Sequence, residues 1–185
     1  DVCLLHGVTS SGKTEVYIHL INEQLKQGRQ ALFLLPEIAL TQQMTERLRR
    51  AFGARLGVYH SKFSDAERVE IWNRQLSDTP YDVILGVRSS VFLPFKNLGL
   101  VIVDEEHETT YQSDRRPRYD AREVAWKRAA QHGAVLVLGS ATPSIDTYMR
   151  AMPGVRPENR LTLIELRQRV KNRPLPEVHL VDMRG

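Results

Sequence analysis

The stretch Gly7-Val8-Thr9-Ser10-Ser11-Gly12-Lys13-Thr14 decides the fold of this chain. It has the spacing GxxxxGK[ST] and lies between strand-like residues 2–5 and a segment of helical period at 14–27. In such a strand-loop-helix context, glycines permit a tight backbone path, and successive N–H groups point at one anion that also faces the positive end of the helix. The eight residues are therefore predicted to form a phosphate-binding loop.

The last two residues of this loop have the most specific predicted roles. Lys13 is expected to reach the β- and γ-phosphates of a nucleotide, and the Thr14 hydroxyl is expected to ligate Mg²⁺. The alternative on this motif alone is a Gly/Ser-rich turn that precedes a helix by chance.

Short apolar runs alternate with helical segments along the chain, which predicts an α/β fold with a parallel sheet and helices on both faces. The predicted strands are 2–5, 31–35, 56–59, 83–85, 100–103 and 135–138. Besides 14–27, a helix is marked by Leu40, Met44, Leu48 and Phe52, and two more begin with capping-box spacing at Ser64 and Asp120.

The composition is that of a globular protein, because 42% of the 185 residues are apolar and 26% are charged. The net charge of +4 is compatible with a polyanionic partner but does not establish one. Cys3 is the single cysteine, which excludes an intrachain disulfide and a CxxC zinc site. The apolar runs are far shorter than the ~20 residues that cross a bilayer, so we expect a cytoplasmic protein.

Two parts are predicted along the chain. Residues 1–152 carry the strand and helix pattern of one nucleotide-binding lobe. Residues 153–185 are predicted to be a basic, proline-rich connector whose last segment, 178–181, is a strand that leads into a second lobe missing from the chain. Because the first residue is Asp1 and a strand follows at once, we expect a piece of a longer protein.

Carboxylates follow the predicted strand 100–103 as Asp104-Glu105-Glu106-His107, at the strand end where open α/β sheets bind ligands. Asp104 is expected to hold Mg²⁺ through water, and Glu105 to orient or deprotonate the attacking water. His107 is expected either to link the nucleotide to the rest of the site or to cap a turn. An acidic loop tip is the alternative for the stretch, and the role of Glu106 stays open, a solvated charge included.

Six stretches together resemble the first RecA-like lobe of superfamily two helicases, in particular the replication-restart helicases. They occur in chain order as Gly7–Tyr17, Leu35–Thr41, His60-Ser61, Gly86–Ser90, Asp104–His107 and Gly139–Ser144. Ser10 stands where the family usually has glycine. Residues 175–178 and 181–184 are similar to the passage by which the family enters its second lobe.

The resemblance implies a RecA-like P-loop NTPase lobe that uses ATP and Mg²⁺ for 3′–5′ DNA unwinding at stalled forks, followed by primosome assembly. It also implies four partners: single-stranded and forked DNA, the second lobe of the same protein, primosome proteins and single-strand binding protein. The zinc of the full-length family is not expected here, because its cysteine ligands are absent. An isolated lobe is expected to hydrolyse ATP poorly. A nucleotide-dependent binding module and a double-strand DNA translocase are the alternatives.

Four further groups of residues are candidates for DNA contact or for coupling. Thr41 and the pair Arg88 and Ser89 follow predicted strands and offer hydroxyls and a cation to phosphates, although strand-to-helix turns with ordinary caps would look the same. The stretch Tyr111–Tyr119 interleaves basic and aromatic residues and resembles a loop that couples DNA to hydrolysis in such helicases.

In that stretch Tyr111, Arg118 and Tyr119 are predicted to contact exposed bases or phosphates, the alternative being a solvated basic loop with two anchoring tyrosines. Ser140 and Thr142 are predicted to hydrogen-bond the acidic stretch and to pass its state to the other lobe. A plain helix start at Thr142-Pro143 is the alternative there.

Overall fold

The computed structural model of the chain describes residues 1–8, 11–156 and 160–168. Strands β1–β7 are Val2–Gly7, Gln30–Leu34, Leu56–Tyr59, Val83–Gly86, Leu98–Val103, Val135–Ser140 and Thr162–Leu166. They form one sheet in the order β3-β4-β2-β5-β6-β1-β7, and every neighbouring pair is parallel. The parallel α/β sheet predicted from the sequence is confirmed.

Helices cover both faces of this sheet. Helices α1–α5 are Lys13–Lys26, Gln42–Phe52, Asp65–Leu76, Ala121–His132 and Ile145–Arg150. Alternate residues of β2 point to opposite sides, so Phe33 packs into one core with α1 and α2. Leu32 packs into the other core, which includes Ala125 of α4 and is lined by Ile71 of α3 and Tyr148 of α5.

The local signals for the helix ends are largely confirmed. Ser64 and Glu67 form the predicted reciprocal capping box at the start of α3. Asp120 caps α4 by accepting a hydrogen bond from the Arg122 amide, 2.9 Å away, so the helix start is confirmed but its cap uses Arg122 instead of the Glu123 that the predicted spacing implied. Gly28 follows α1 with φ of +70°, a conformation that glycine adopts without strain.

The sheet extends beyond the predicted end of the lobe. Strand β7 pairs in parallel with β1, from Thr162 beside Cys3 to Leu166 beside Gly7. The edge of β1 thus binds a strand from the segment that we expected to be a connector, and the domain boundary at Met152 stays a prediction. The strand predicted at 178–181 lies outside the described residues. Among the helices that the structure describes, none combines the length and apolar character of a membrane span.

The parallel arrangement brings the predicted functional stretches to one edge of the sheet, where all strands have their carboxyl ends. The loops after β1, β5 and β6 carry the phosphate loop, the acidic stretch and residues 139–144. We call this the inner half of the edge. The loops after β2 and β4 carry residues 35–41 and 87–90. We call these two loops, together with Arg68 of α3 and the loop 112–119 that lie beside them, the outer half.

Candidate functional site

The phosphate loop forms a backbone cradle at the end of β1. Gly12 precedes α1 with φ of +87°, which disfavours any residue with a side chain. A Cβ on Gly7 would lie 2.5 Å from Ser11 Oγ, so the loop packs too tightly for a side chain there. Lys13 Nζ donates to the Gly7 carbonyl over 2.9 Å. Ser11 Oγ is buried and has no hydrogen-bond partner among the described residues.

This cradle fits an anionic ligand with many acceptor oxygens, because it presents a lysine and an unpaired buried hydroxyl at the start of a helix. Thr14 lies in the first turn of α1, beside Lys13. Thr9 and Ser10, which complete the predicted loop, lie outside the described residues. Val8 is exposed at the mouth of the loop.

Asp104 lies at the end of β5 and is 8% exposed. Its Oδ1 accepts a hydrogen bond of 2.8 Å from the Tyr17 hydroxyl, which comes from α1. Burial raises the pKa of Asp104, whereas the Tyr17 hydrogen bond and the charge of Lys13 oppose that rise. The lysine of the phosphate loop and the first carboxylate of the acidic stretch are therefore neighbours in the fold.

Tyr17 is a site residue that the sequence analysis named only as the last residue of the stretch Gly7–Tyr17. It follows Lys13 by one helical turn, is fully buried and packs edge-on against Phe33 with ring centroids 5.2 Å apart. Gly139 of β6 makes the room for it, since a Cβ there would lie 1.7 Å from the tyrosine oxygen. The spacing of one turn from the lysine was the available signal, but it does not reveal which group the hydroxyl meets.

Glu105 is held in an uncommon backbone conformation, with φ of +49°. Its carboxylate is half-buried and has Oε2 3.6 Å from His107 Nδ1. Burial and the neighbouring Asp104 raise the pKa of Glu105, while Lys13 and His107 lower it. A carboxylate with a raised pKa at the mouth of an anion cradle is suited to accept a proton.

His107 connects the acidic stretch to the end of β6. Its Nδ1 lies 2.7 Å from Ser140 Oγ, which also accepts a 3.0 Å hydrogen bond from the Thr142 amide. Ser140 is fully buried, so it is not available to touch DNA directly. Thr142 is exposed. The structure thus brings the two predicted coupling residues together with the acidic stretch.

Glu106, whose role the sequence left open, is 1% exposed and is not a solvated charge. Its carboxylate accepts hydrogen bonds from the Ser144 amide at 2.6 Å and from the Thr147 hydroxyl at 3.0 Å. Its carbonyl accepts from Arg122 Nη1 at 2.6 Å. The bonds from Ser144 and Thr147 fix α5 against the acidic stretch. These two residues lie 38 and 41 positions further along the chain than Glu106.

In the outer half, two of the predicted DNA-contact residues, Thr41 and Arg88, already have hydrogen-bond partners within the protein. The Thr41 hydroxyl caps α2 by accepting from the Met44 amide at 3.2 Å, although Thr41 remains exposed. Arg88 Nη1 donates to the carbonyls of Thr110 and Gln112 at 2.9 and 2.7 Å. Ser89 lies beside it in the wall of a cavity of about 300 Å³.

The expectation that Tyr111 stacks on an exposed base is wrong. Tyr111 is 1% exposed, and its hydroxyl donates to the carbonyls of Asp104 at 2.5 Å and Leu34 at 3.2 Å. The reason is that the chain turns back into the core directly after the acidic stretch. Arg118 is exposed, and Tyr119 is half-buried with its ring edge-on to Phe92 at 4.8 Å.

Known proteins resemble the chain at the level of sequence. Residues 1–151 match the family model described as DEAD/DEAH box helicase. The chain is 48% identical over 183 residues to the replication restart protein PriA of Bacillus subtilis (strain 168), which covers 99% of this chain and 22% of that protein. It is 45% identical over 183 residues to the PriA of Synechocystis sp., covering 98% and 22%. The chain therefore spans less than a quarter of the length of these relatives.

Solved structures resemble it at the level of fold. RecG bound to a three-way DNA junction has a TM-score of 0.60 at 24% identity, covering 93% of this chain and 21% of that one. The helicase MrfA bound to DNA and AMPPNP has a TM-score of 0.60 at 19% identity, covering 89% and 24%. The sheet thus has the RecA-like fold of these helicase domains, and the chain belongs to the DEAD/DEAH box helicase family.

Proposed function

We propose that the chain is the ATP-binding lobe of an ATP-dependent 3′–5′ DNA helicase that acts at stalled forks in replication restart and primosome assembly. One observation carries the proposal: the anion cradle with Lys13 and the carboxylates of Asp104 and Glu105 lie at one edge, joined by the Tyr17 hydrogen bond. The similarity to replication restart proteins over nearly the whole chain supports the process in which the helicase acts.

Four residues have proposed roles at the nucleotide. Thr14 and Asp104 would hold Mg²⁺, which neutralises charge on the phosphates when it is bound. Lys13 leaves the Gly7 carbonyl for phosphate oxygens, because a hydrogen bond between two charged groups is stronger than one to a neutral carbonyl. Glu105 orients the attacking water and accepts its proton, a role that its raised pKa favours.

The second lobe of the same protein is proposed to complete the cleft. It would supply positive charge to the transition state, so this lobe alone would turn over slowly. His107 and Ser140 would pass the state of the nucleotide towards it through their 2.7 Å contact. Single-stranded and forked DNA would bind the outer half through Thr41, Arg88, Ser89, Arg118 and Tyr119. Primosome proteins and single-strand binding protein are the proposed protein partners, in the cytoplasm.

The test compares ATP hydrolysis by the full-length protein and its Lys13→Ala variant, with and without single-stranded DNA. We expect the DNA to stimulate the parent protein and the variant to show no turnover above background, because the variant lacks the charge that offsets the phosphates. Undiminished turnover in the variant would remove the phosphate loop from the mechanism.

The same preparation distinguishes the other classes of protein. Unwinding of forks with a 3′ tail but not of forks with a 5′ tail is the expected polarity. A parent ATPase that ignores single-stranded DNA would indicate a passive nucleotide-dependent binding module. Hydrolysis stimulated by duplex DNA without strand separation would indicate a double-strand translocase.

A further inference from the structure

Helix α3 carries a stripe of large apolar side chains on a side that this lobe leaves open. Val69, Trp72 and Leu76 are 57%, 44% and 55% exposed. Their spacing of three and four residues places them in one line along the helix. Ile71, in contrast, packs against the core beneath the helix. The helix therefore has two apolar sides, and the lobe covers only the one that carries Ile71.

Phe92 extends this stripe across a neighbouring segment. It ends the 3₁₀ turn that follows β4 and is 46% exposed. Before Phe92 in the chain, Ser89 lines the same cavity as Arg68 of α3. After Phe92, the carbonyl of Pro94 accepts a hydrogen bond from the Gln75 side chain of α3 at 3.4 Å. Phe92 therefore lies beside the middle turns of the helix. We call the three side chains of the stripe and Phe92 together the α3 patch.

The helical part of the α3 patch is free of charge over two turns. Glu70 and Arg74, the charged residues of these turns, lie on the other flank, where the Arg74 guanidinium carbon is 3.8 Å from the centre of the Tyr81 ring. Uncharged apolar surface with aromatic side chains is typical of the buried core of a protein interface. Nucleic acid does not fit such a surface, because its phosphates bind to cations.

The second lobe of the proposed function would not cover the α3 patch. Helix α3 follows the carboxyl end of β3 and runs along the face of the sheet towards its amino-terminal edge, where β4 begins. The phosphate loop and the acidic stretch lie at the carboxyl edge, so a lobe that completes their cleft must sit there. The patch on the face of the sheet stays open to a different part of the protein.

We propose that the α3 patch is the docking surface for another domain of the same protein, one that lies outside these 185 residues and is not the second lobe. The relatives from Bacillus subtilis and Synechocystis sp. match the chain over only 22% of their length, so such proteins have ample further chain to cover the patch. Four side chains suit the core of a contact between domains, which buries about 600–1,500 Å². An obligate homodimer buries about 2,000 Å² or more.

The test is hydroxyl-radical footprinting of the full-length protein, read by mass spectrometry. The oxidation rate of each side chain is compared with its rate in the denatured protein. We expect Trp72, Leu76 and Phe92 to be oxidised about 10-fold or more slowly than in the denatured protein, because the core of an interface excludes water. Rates within about threefold of the denatured values, as expected for half-exposed side chains, would show that the patch is open and would overturn the proposal.

The same measurement distinguishes the other ligands that could cover the α3 patch. Protection that grows as the protein concentration is raised would indicate a second copy of the protein, because self-association depends on concentration. Protection that appears only after forked DNA is added would indicate nucleic acid. Either result would overturn the proposal. Neither depends on ATP hydrolysis, so the phosphate-loop proposal, which Lys13→Ala tests, stands or fails separately.

Trp72→Glu in the full-length protein tests the contact directly. A carboxylate in the core of the interface would lose its water without gaining a partner, so the domains should separate. The protection of Leu76 and Phe92 should then fall to within about threefold of the denatured rates, and the radius of gyration from small-angle scattering should rise. Binding of a fluorescent ATP analogue should stay within about twofold of the parent, which shows that the lobe itself remains folded.

Tyr81→Phe is the control, because it removes a hydroxyl on the other flank of the helix, away from the α3 patch and from the phosphate loop. It should keep the parent protection and the parent radius of gyration. Protection of Leu76 and Phe92 that survives in a Trp72→Glu variant that still binds nucleotide would overturn the proposal. If that variant does not fold, the footprint of the unsubstituted protein decides.

Discussion

The inner and outer halves of the sheet edge use their charged side chains differently. In the inner half, Lys13 and Asp104 lie around one cradle, and a hydroxyl from Tyr17 orients the carboxylate. In the outer half, Arg68 and Arg88 both donate to main-chain carbonyls of neighbouring loops. The carboxylate of the inner half is therefore already oriented, and its ligand displaces the Lys13 bond to the Gly7 carbonyl, whereas a ligand of the outer half must displace the hydrogen bonds of two arginines.

This difference predicts what substitutions change in each half. Groups that are already placed around a reacting centre contribute mainly to the rate, since they need no rearrangement during the reaction. Cations that meet phosphates one by one contribute mainly to affinity and to its dependence on salt. Substitutions in the inner half should thus change mainly the rate of ATP hydrolysis. Substitutions in the outer half should change mainly the affinity for DNA and its dependence on salt.

The largest expected effect is that of Glu105→Gln in the full-length protein. It should lower the rate of ATP hydrolysis by a factor on the order of 10² or more, because the amide cannot accept the proton of the attacking water. Nucleotide binding, measured with a fluorescent ATP analogue, should persist. Glu46→Gln is the control, an exposed carboxylate of α2, and it should stay within about twofold of the parent. Hydrolysis by Glu105→Gln at the parent rate would mean that another group serves as the base.

A smaller effect is expected from neutralising the loop 112–118 in the outer half. Three exposed arginines at its tip would be changed to glutamine together: Arg115, Arg116 and Arg118. If each contacts one phosphate of single-stranded DNA, the slope of log K against log salt should fall in magnitude by about 2, since each contact contributes ~0.7. Fluorescence anisotropy over a range of salt concentrations measures the slope.

The matched control for the loop removes three exposed cations from helices elsewhere, namely Arg49 and Arg50 of α2 and Lys127 of α4. Its salt slope should equal that of the parent. An unchanged slope in the loop variant would show that the loop is solvated and that DNA contacts other residues of the protein. Equal losses in both triple variants would show a general effect of net charge.

The sequence predicted the inner half well because its residues are fixed by their places in the chain. The order of strand, loop and helix determines where the phosphate loop lies. In the same way, the order of a buried strand and then carboxylates determines where Asp104 lies. In a parallel sheet both must reach the same edge. The positions of these groups therefore follow from order and spacing. Strands β1–β6 differ from their predicted bounds by at most two residues at either end, whereas β7 was not predicted.

The outer half was harder to predict because burial there depends on partners from distant parts of the chain. The alternation of basic and aromatic residues after the acidic stretch does not distinguish Tyr111, which is buried, from Arg118, which is exposed. Glu106 gives a similar lesson in the inner half. Its carboxylate is buried because Ser144 and Thr147 of a later helix donate to it, and no local pattern shows that.

The smallest expected effect tests how the inner half is preorganised, and it concerns pH. Burial raises the pKa of Asp104, and the Tyr17 hydroxyl partly offsets that rise by donating to the charged form. Tyr17→Phe removes the donor, so the pKa of Asp104 should rise further. Because Asp104 would hold Mg²⁺ as the carboxylate, hydrolysis should be lost as the pH falls through this pKa.

In the pH profile of hydrolysis, the acidic limb of Tyr17→Phe should therefore lie at higher pH than that of the parent. The rate at alkaline pH should be close to the parent value, and the deficit on the acidic side should grow to about 2- to 10-fold, as expected for one hydrogen bond. Tyr81→Phe should leave the limb in place. A limb that moves to lower pH would show that the Tyr17 hydroxyl does not stabilise the charged Asp104, because a lost donor to a carboxylate can only favour its protonated form.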